Sequence, residues 1–271
     1  MNQTILITGS TDGIGLEAAK TLMQLGHRVL LHGRSASKLR DAESALSELP
    51  GGGEVETYLA DLSDLSIVEA LAHEVSNRHE RLDVLINNAG VYRTPEPLTK
   101  DGLDIRFVVN TVAPYLLTKR LLPLFTPSGR VINLSSAAQA RVDLQALEGS
   151  ARLRDDMAYA QSKLAITMWS RQLALSLSDQ GPSVIAVNPG SMLGTKMVKE
   201  AYGVAGGDVQ IGAEILRRAA LGDEFSGASG RYFDNDSRQF ASPHPDALDP
   251  ERTHEVVSAI EAILSSRGLL G

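Results

Sequence analysis

Short apolar runs alternate with amphipathic stretches of helical period along most of the chain. The apolar runs predict strands at Thr4–Thr8, Arg28–His32, Val55–Ala60, Val84–Asn87, Val131–Ser135, Ser183–Asn188 and Gly230–Asp234. The periodic stretches predict helices at Gly15–Leu25, Ser37–Leu49, Leu65–Arg78 and Ala158–Ser178, with another amphipathic helix at Glu251–Ser265. Strand and helix in repeated alternation imply an α/β fold: a doubly wound, mostly parallel sheet of about seven strands with helices on both faces. Runs such as Val84-Leu-Ile suit strands covered on both sides.

No repeat and no linker divides the chain, so residues 1–271 read as a single domain. Pro50-Gly-Gly-Gly53 is a turn inside it. Two stretches look irregular, Ala137–Asp156 and Ser191–Asp208, and each follows a strand whose carboxyl end should face a ligand. The second, 191–208, reads as the substrate-side loop.

Composition removes several classes of function. The net charge is −7 and the pI about 5.4, which argues against nucleic acid or an anionic membrane surface as partner. There is no cysteine, which excludes disulfides, thiolate metal sites and cysteine nucleophiles; no metal site is expected. The N-terminus lacks a secretory pattern and no apolar run approaches a membrane span, so the expected location is the cytoplasm.

The chemistry concentrates in three places. Gly9, Gly13 and Gly15 follow the first strand and open the first helix, where glycines let backbone approach a pyrophosphate. Their spacing is not the general G-x-G-x-x-G, and a plain glycine-rich turn is the competing reading. The second strand runs into Gly33-Arg34-Ser35 with no carboxylate until Asp41. An acidic residue there would hold the ribose 2′-hydroxyl of NAD, whereas an arginine accommodates a 2′-phosphate. Arg34, with Ser35 as second donor, therefore favours NADP(H) over NAD(H), against the alternative of a solvated loop arginine. Asp12 in the glycine turn does not help this choice. Finally, Tyr159 and Lys163 stand four apart on one helix face, downstream of Ser135-Ser136. A cation beside a phenol favours the phenolate, which fits a proton donor and acceptor for hydride transfer to a carbonyl or from a secondary alcohol.

Together these residues resemble the short-chain dehydrogenase/reductase family in its single-domain branch. The resemblance rests on Thr8-Gly9-x-x-x-Gly13-x-Gly15, Asp61-Leu62, Asn87-Asn88-Ala89-Gly90, Asn110, Ser136, Tyr159-x-x-x-Lys163 and Asn188-Pro189-Gly190, in that order. The long interval between Ser136 and Tyr159, with Ser229-Gly-Arg-Tyr-Phe233, is similar to the retinol-dehydrogenase-like and protochlorophyllide-reductase-like branch. The resemblance implies four catalytic residues. Tyr159 is the general acid and base, Lys163 holds the ribose hydroxyls, Ser136 orients the substrate oxygen, and Asn110 binds a water linking Lys163 to solvent. Pro114 should bend that helix and free carbonyls for the water.

For the cofactor it implies Gly9, Ser10, Gly13, Ile14, Gly15, Arg34, Ser35, Asp61, Leu62, Asn88, Ala89, Gly90, Tyr159, Lys163, Pro189, Gly190 and Thr195. For Asp61, local turn chemistry competes with an adenine contact. Candidate substrate walls are Tyr92, Gln139, Met157, Met192, Met197 and Tyr202. The implied reaction is NADP(H)-dependent, reversible reduction of a moderately hydrophobic ketone or aldehyde to an alcohol. The alternatives are a non-catalytic NADP(H)-binding sensor and a nucleotide-sugar epimerase or dehydratase. Relatives often form dimers or tetramers through the helices carrying Asn110 and Tyr159, unless the C-terminal tail caps a monomer.

Overall fold

Eight strands form one sheet in the computed structural model, which describes residues 2–178 and 180–270. The strands are β1 (Thr4–Ile7), β2 (Arg28–Gly33), β3 (Glu54–Leu59), β4 (Val84–Asn87), β5 (Arg130–Leu134), β6 (Ser183–Asn188), β7 (Tyr232–Asp234) and β8 (Gln239–Ala241). Their order is β3-β2-β1-β4-β5-β6-β7-β8. All neighbours run parallel except β7 and β8. Strand order reverses between β1 and β4, so a crevice opens beyond their carboxyl ends, as expected of an open α/β sheet.

Buried side chains on the two sheet faces form two cores. One holds Ile5, Ile7, Leu31 and Ile86 under α1 (Gly13–Gln24), α2 (Ala36–Ser47) and α9 (Val209–Leu221). The other holds Leu6, Leu30 and Leu85 under α3 (Leu65–Arg78), α5 (Ala113–Leu121) and α7 (Asp155–Leu177). This two-sided cover is why the strands read as unbroken apolar runs. Asn87 and Asn133 break that pattern. Their buried amides join to each other at 2.7 Å and reach Thr118 and Ser170, tying β4 and β5 to α5 and α7.

The expected elements shift in explicable ways. The sheet has eight strands, not seven, because β8 is a three-residue edge strand with no long apolar run to announce it. α1 starts at Gly13, since the Asp12 side chain caps it. α7 starts at Asp155, with Asp155 and Asp156 in the first turn where the helix dipole favours acids. The two irregular segments contain short helices, α6 (Leu144–Leu147) and α8 (Lys196–Tyr202). The bend expected from Pro114 is a π turn at Val108–Val112, between α4 (Ile105–Phe107) and α5. Pro114 lacks the N–H that an α-helix would direct at the Asn110 carbonyl.

Arg106 is fully buried, forks onto Asp104 through Nε–Oδ1 at 2.8 Å and Nη2–Oδ2 at 2.6 Å, and also reaches Asp155. It fixes the start of α7 against α4. The C-terminal helix α10 (Pro250–Ser265) buries Val256, Val257, Ile260 and Ile263 in the core shared with Tyr115 and Trp169. Tyr115 donates to Glu261 at 2.6 Å. The tail thus covers part of α5 and α7, the helices through which assembly was expected. Among the described residues, no helix is long and apolar enough to cross a membrane.

Candidate active site

A cleft of about 560 Å³ lies over the carboxyl ends of the parallel strands. Gly9, Gly13, Ile14, Arg34, Asp61, Leu62, Asn88, Ala89, Gly90, Ser136, Tyr159, Lys163, Pro189, Gly190 and Thr195 all line it. The expected residues from seven separate chain segments therefore converge on one cavity.

The glycine turn is built for close approach. Gly9 has φ +65°, and a Cβ there would stand 2.9 Å from the Ala89 Cα. A Cβ on Gly15 would stand 2.5 Å from both Asn88 Nδ2 and the Gly9 carbonyl. Gly15 is thus a packing glycine behind the turn, outside the lining. Ser10 is likewise buried and outside it. Its Oγ donates to the Ile7 carbonyl at 2.9 Å and accepts from His32 N at 2.9 Å, so it serves the turn and not the cleft. Asn88 Nδ2 donates to the Thr8 and Gly9 carbonyls, both at 2.9 Å. That side chain stitches β4 to the turn.

His32 was not singled out by sequence. It is buried, accepts from Gly9 N at Nδ1 (3.1 Å) and pairs through Nε2 with the Ala60 carbonyl (3.1 Å). That pattern fixes a neutral ring with its proton on Nε2. Burial pushes its pKa down to about 4. Its signal was a histidine at an otherwise apolar strand end.

At the adenosine end, Arg34 is exposed and lines the cleft, whereas Ser35 is the cap of α2. Ser35 Oγ accepts from Lys38 N at 3.5 Å, which leaves its own proton free to donate. Lys38, also overlooked by sequence, lines the cleft one turn beyond Arg34. Asp61 Oδ1 accepts from Ser63 N and Oγ at 2.9 and 2.8 Å. Its carboxylate thus makes the local turn, as the competing reading had it, while the residue still borders the cavity.

At the other end, β5 delivers the serine pair onto α7. Ser135 is buried; it donates to the Lys163 carbonyl at 3.1 Å and meets Thr167 Oγ1 at 2.6 Å. Ser136, just past the end of β5, borders the cleft together with Ser135 and stands beside Tyr159. Burial raises the Tyr159 pKa, an effect opposed by the nearby Ser136 hydroxyl. This departs from the expectation that Lys163 lowers it. Lys163 Nζ sits 5.7 Å from the Tyr159 ring centroid and donates to the Leu134 carbonyl at 2.7 Å. Burial lowers its own pKa to about 8.

Asn110 is buried behind Gly90 and outside the lining. Its Oδ1 accepts from Val91 N at 2.7 Å, and its Nδ2 donates to the Val91 carbonyl at 3.0 Å and to Ser162 Oγ at 2.9 Å. The side chain is engaged with protein, so any water contact falls to its main-chain carbonyl.

Of the expected substrate walls, Tyr92, Met192, Met197 and Tyr202 line the cleft. Gln139 and Met157 do not. Gln139 braces the loop, donating to the Ser136 carbonyl at 3.0 Å and accepting from His244 N at 3.1 Å. Met157 is 40% exposed on α7. Tyr92 lies edge-on to Tyr159, with centroids 4.9 Å apart, and its OH meets that of Tyr202 at 3.4 Å. Among the described residues, no cluster of three or more His, Asp or Glu is placed to hold a metal.

A parallel sheet with this crevice, a glycine turn and a Ser–Tyr–Lys wall defines a dinucleotide-dependent oxidoreductase. The match to the family described as short chain dehydrogenase spans residues 3–203, and the chain belongs to that family. It is 31% identical to human retinol dehydrogenase 13 over 92% of this chain and 80% of that one. It is 32% identical to human polyprenol dehydrogenase over 87% and 77%. Among solved structures, an uncharacterized Mycobacterium paratuberculosis protein superposes with a TM-score of 0.81 at 27% identity, covering 97% and 93% of the two chains. A Shigella flexneri short chain dehydrogenase complexed with NADP gives 0.68 at 29% identity, covering 87% and 98%.

Proposed function

We propose that the chain is an NADP(H)-dependent reductase of a moderately hydrophobic ketone or aldehyde, acting reversibly with Tyr159 as general acid and base. The observation that carries this reading is the convergence of Ser136, Tyr159 and Lys163 at one end of a cleft whose other end carries Arg34.

The cavity fits a dinucleotide. Gly9 and Gly13, both at positive φ, leave backbone bare where α1 begins, so a pyrophosphate could approach closely there and meet the positive end of the helix dipole. The Gly9 and Gly13 amides are themselves held by His32 and Asp12. Asn88, Ala89, Gly90, Pro189, Gly190 and Thr195 would flank the ribose and nicotinamide. When bound, the nicotinamide supplies the hydride that reduces a carbonyl carbon. Ser136 Oγ and the Tyr159 hydroxyl would hold the substrate oxygen, and the Tyr159 proton would pass to it as the alkoxide forms. Lys163 would turn Nζ toward the ribose hydroxyls while keeping its bond to Leu134. The freed Asn110 carbonyl offers a water-mediated route for the returning proton.

The apolar wall of Met192, Met197, Tyr92 and Tyr202 supports a hydrophobic substrate. Its relatives by name act on retinol and polyprenol, both apolar alcohols. We place the activity in the cytoplasm, a location that cell fractionation tests directly.

The experiment is consumption of NADPH and NADH against a panel of aldehydes, ketones and quinones. NADPH should be preferred, and Arg34→Asp should move the preference toward NADH by removing a cation and adding repulsion. Turnover with neither cofactor on any carbonyl, despite tight NADPH binding, would overturn the reductase reading.

A further inference from the structure

The adenosine end of the cleft carries a carboxylate where a phosphate-binding site would be expected to have none. Thr11, Asp12, Arg34 and Lys38 border it together. Asp12 Oδ1 accepts from Gly13 N at 2.8 Å, which anchors the carboxylate at the rim. Its Oδ2 faces Lys38 Nζ at 3.3 Å. Lys38 follows Arg34 by four residues, and both border the same end of the cavity. The pair spans the gap between the glycine turn and α2.

We propose that Asp12 competes with the cofactor's 2′-phosphate for Lys38, so that this carboxylate sets how strongly the chain discriminates NADPH from NADH. The inference rests on the NADP(H) reading above and adds to it the residue that limits the preference. Lys38 is a second phosphate cation, held in reserve by an internal anion. The side chains of Lys38 and Asp12 are 49% and 56% exposed, so the pair is solvent-screened and cheap to open. A phosphate carries about two negative charges against the single charge of a carboxylate, and takes the lysine when it binds. Asp12 cannot leave, because its other oxygen holds Gly13. It therefore repels the 2′-phosphate, while a cofactor ending in a 2′-hydroxyl meets little of this penalty. Through this pair the chain binds NADPH less tightly than Arg34 and Lys38 alone would allow.

The test is the dissociation constant of NADPH and of NADH, measured by calorimetry, for the wild type and for Asp12→Asn, Lys38→Met and Arg34→Ala. Asparagine keeps the helix cap, so Asp12→Asn removes charge with little change in fold. It should tighten NADPH about three- to fivefold, the worth of a screened ion pair, and change NADH by less than about twofold. Lys38→Met should weaken NADPH by a similar factor and spare NADH. The gain from Asp12→Asn should shrink at high salt. If Arg34→Ala shifts the NADPH-to-NADH ratio while Asp12→Asn and Lys38→Met leave it alone, the competition is overturned and the NADP(H) reading stands. If none of the three moves the ratio, both are overturned.

Discussion

The two ends of the cleft are held by opposite means. At the glycine turn the backbone itself is tied down: His32 takes the Gly9 amide, Ser10 is locked under the turn, and Asn88 holds the Thr8 and Gly9 carbonyls. The substrate side is a loop closed at its neck by the Leu193–Gly207 bridge and carrying α8. Across the mouth it touches the far wall through Tyr202 and Tyr92. One end presents fixed backbone to a fixed ligand; the other presents replaceable side chains. The difference teaches where specificity resides. In the function proposed above, cofactor binding rests on the tied-down backbone and substrate choice on the loop at 191–208.

The sharpest break of this contrast lies where the two ends meet. Tyr159→Phe removes the proton donor without touching the glycine turn, so turnover should fall by about 10²-fold or more. NADPH affinity should stay within about twofold. Steady-state rates beside a binding titration check both, and a variant keeping a tenth of the activity would remove Tyr159 from the role of sole acid.

Next in size is the pinning of the turn. His32→Leu leaves the Ala60 carbonyl buried without a partner, at a cost of about 1–3 kcal/mol, and also frees the partly buried Gly9 amide. The melting temperature should drop and NADPH affinity should weaken with it. The histidine also carries a pH signature. Its pKa is 6.5 unfolded and about 4 in the fold, so the unfolded chain takes up the proton first. Stability is full above pH 6.5 and is lost as pH falls toward 4. Denaturant titrations across that window should show a slope that His32→Leu reduces. An identical slope in both proteins would assign it to other groups.

These features differ in how far the sequence announced them. The order of strands and helices and the Tyr159–Lys163 pair were legible because periodicity and spacing are local properties. The choice of Ser136 over Ser135 came from the family resemblance, since strand alternation says only that the two should point apart. Ser10 and Gly15 were assigned to the cofactor and Asn110 to a water relay, yet the side chains of Ser10 and Asn110 are engaged with protein and Gly15 packs behind the turn. A motif records that a residue type is needed, and leaves open whether it meets the ligand or braces what does. Lys38 and His32 were missed because their roles arise only when α2 and β2 fold back against the glycine turn. The phenol's raised pKa escaped for a related reason. Helical spacing predicted a neighbouring cation, while burial, a tertiary effect, acts in the opposite direction.

The smallest expected effect sharpens the contrast from the loop side. Tyr202 is 54% exposed, and its hydroxyl meets Tyr92 at 3.4 Å, a long contact that contributes little to stability. Tyr202→Ala should therefore change unfolding free energy by less than about 0.5 kcal/mol. It does remove an aromatic wall over the substrate end. KM for a bulky apolar carbonyl should rise about two- to fivefold, the scale of a lost partial apolar contact, while kcat and NADPH affinity hold steady. The same substitution should matter less for a small aldehyde that does not reach the loop. Comparing the two substrates separates a wall from a latch. A wall alters KM in proportion to substrate size, whereas a latch that gates release would raise or lower kcat for both alike. A change in NADPH affinity would show that the loop also holds the cofactor, and the division between the two ends would not survive it.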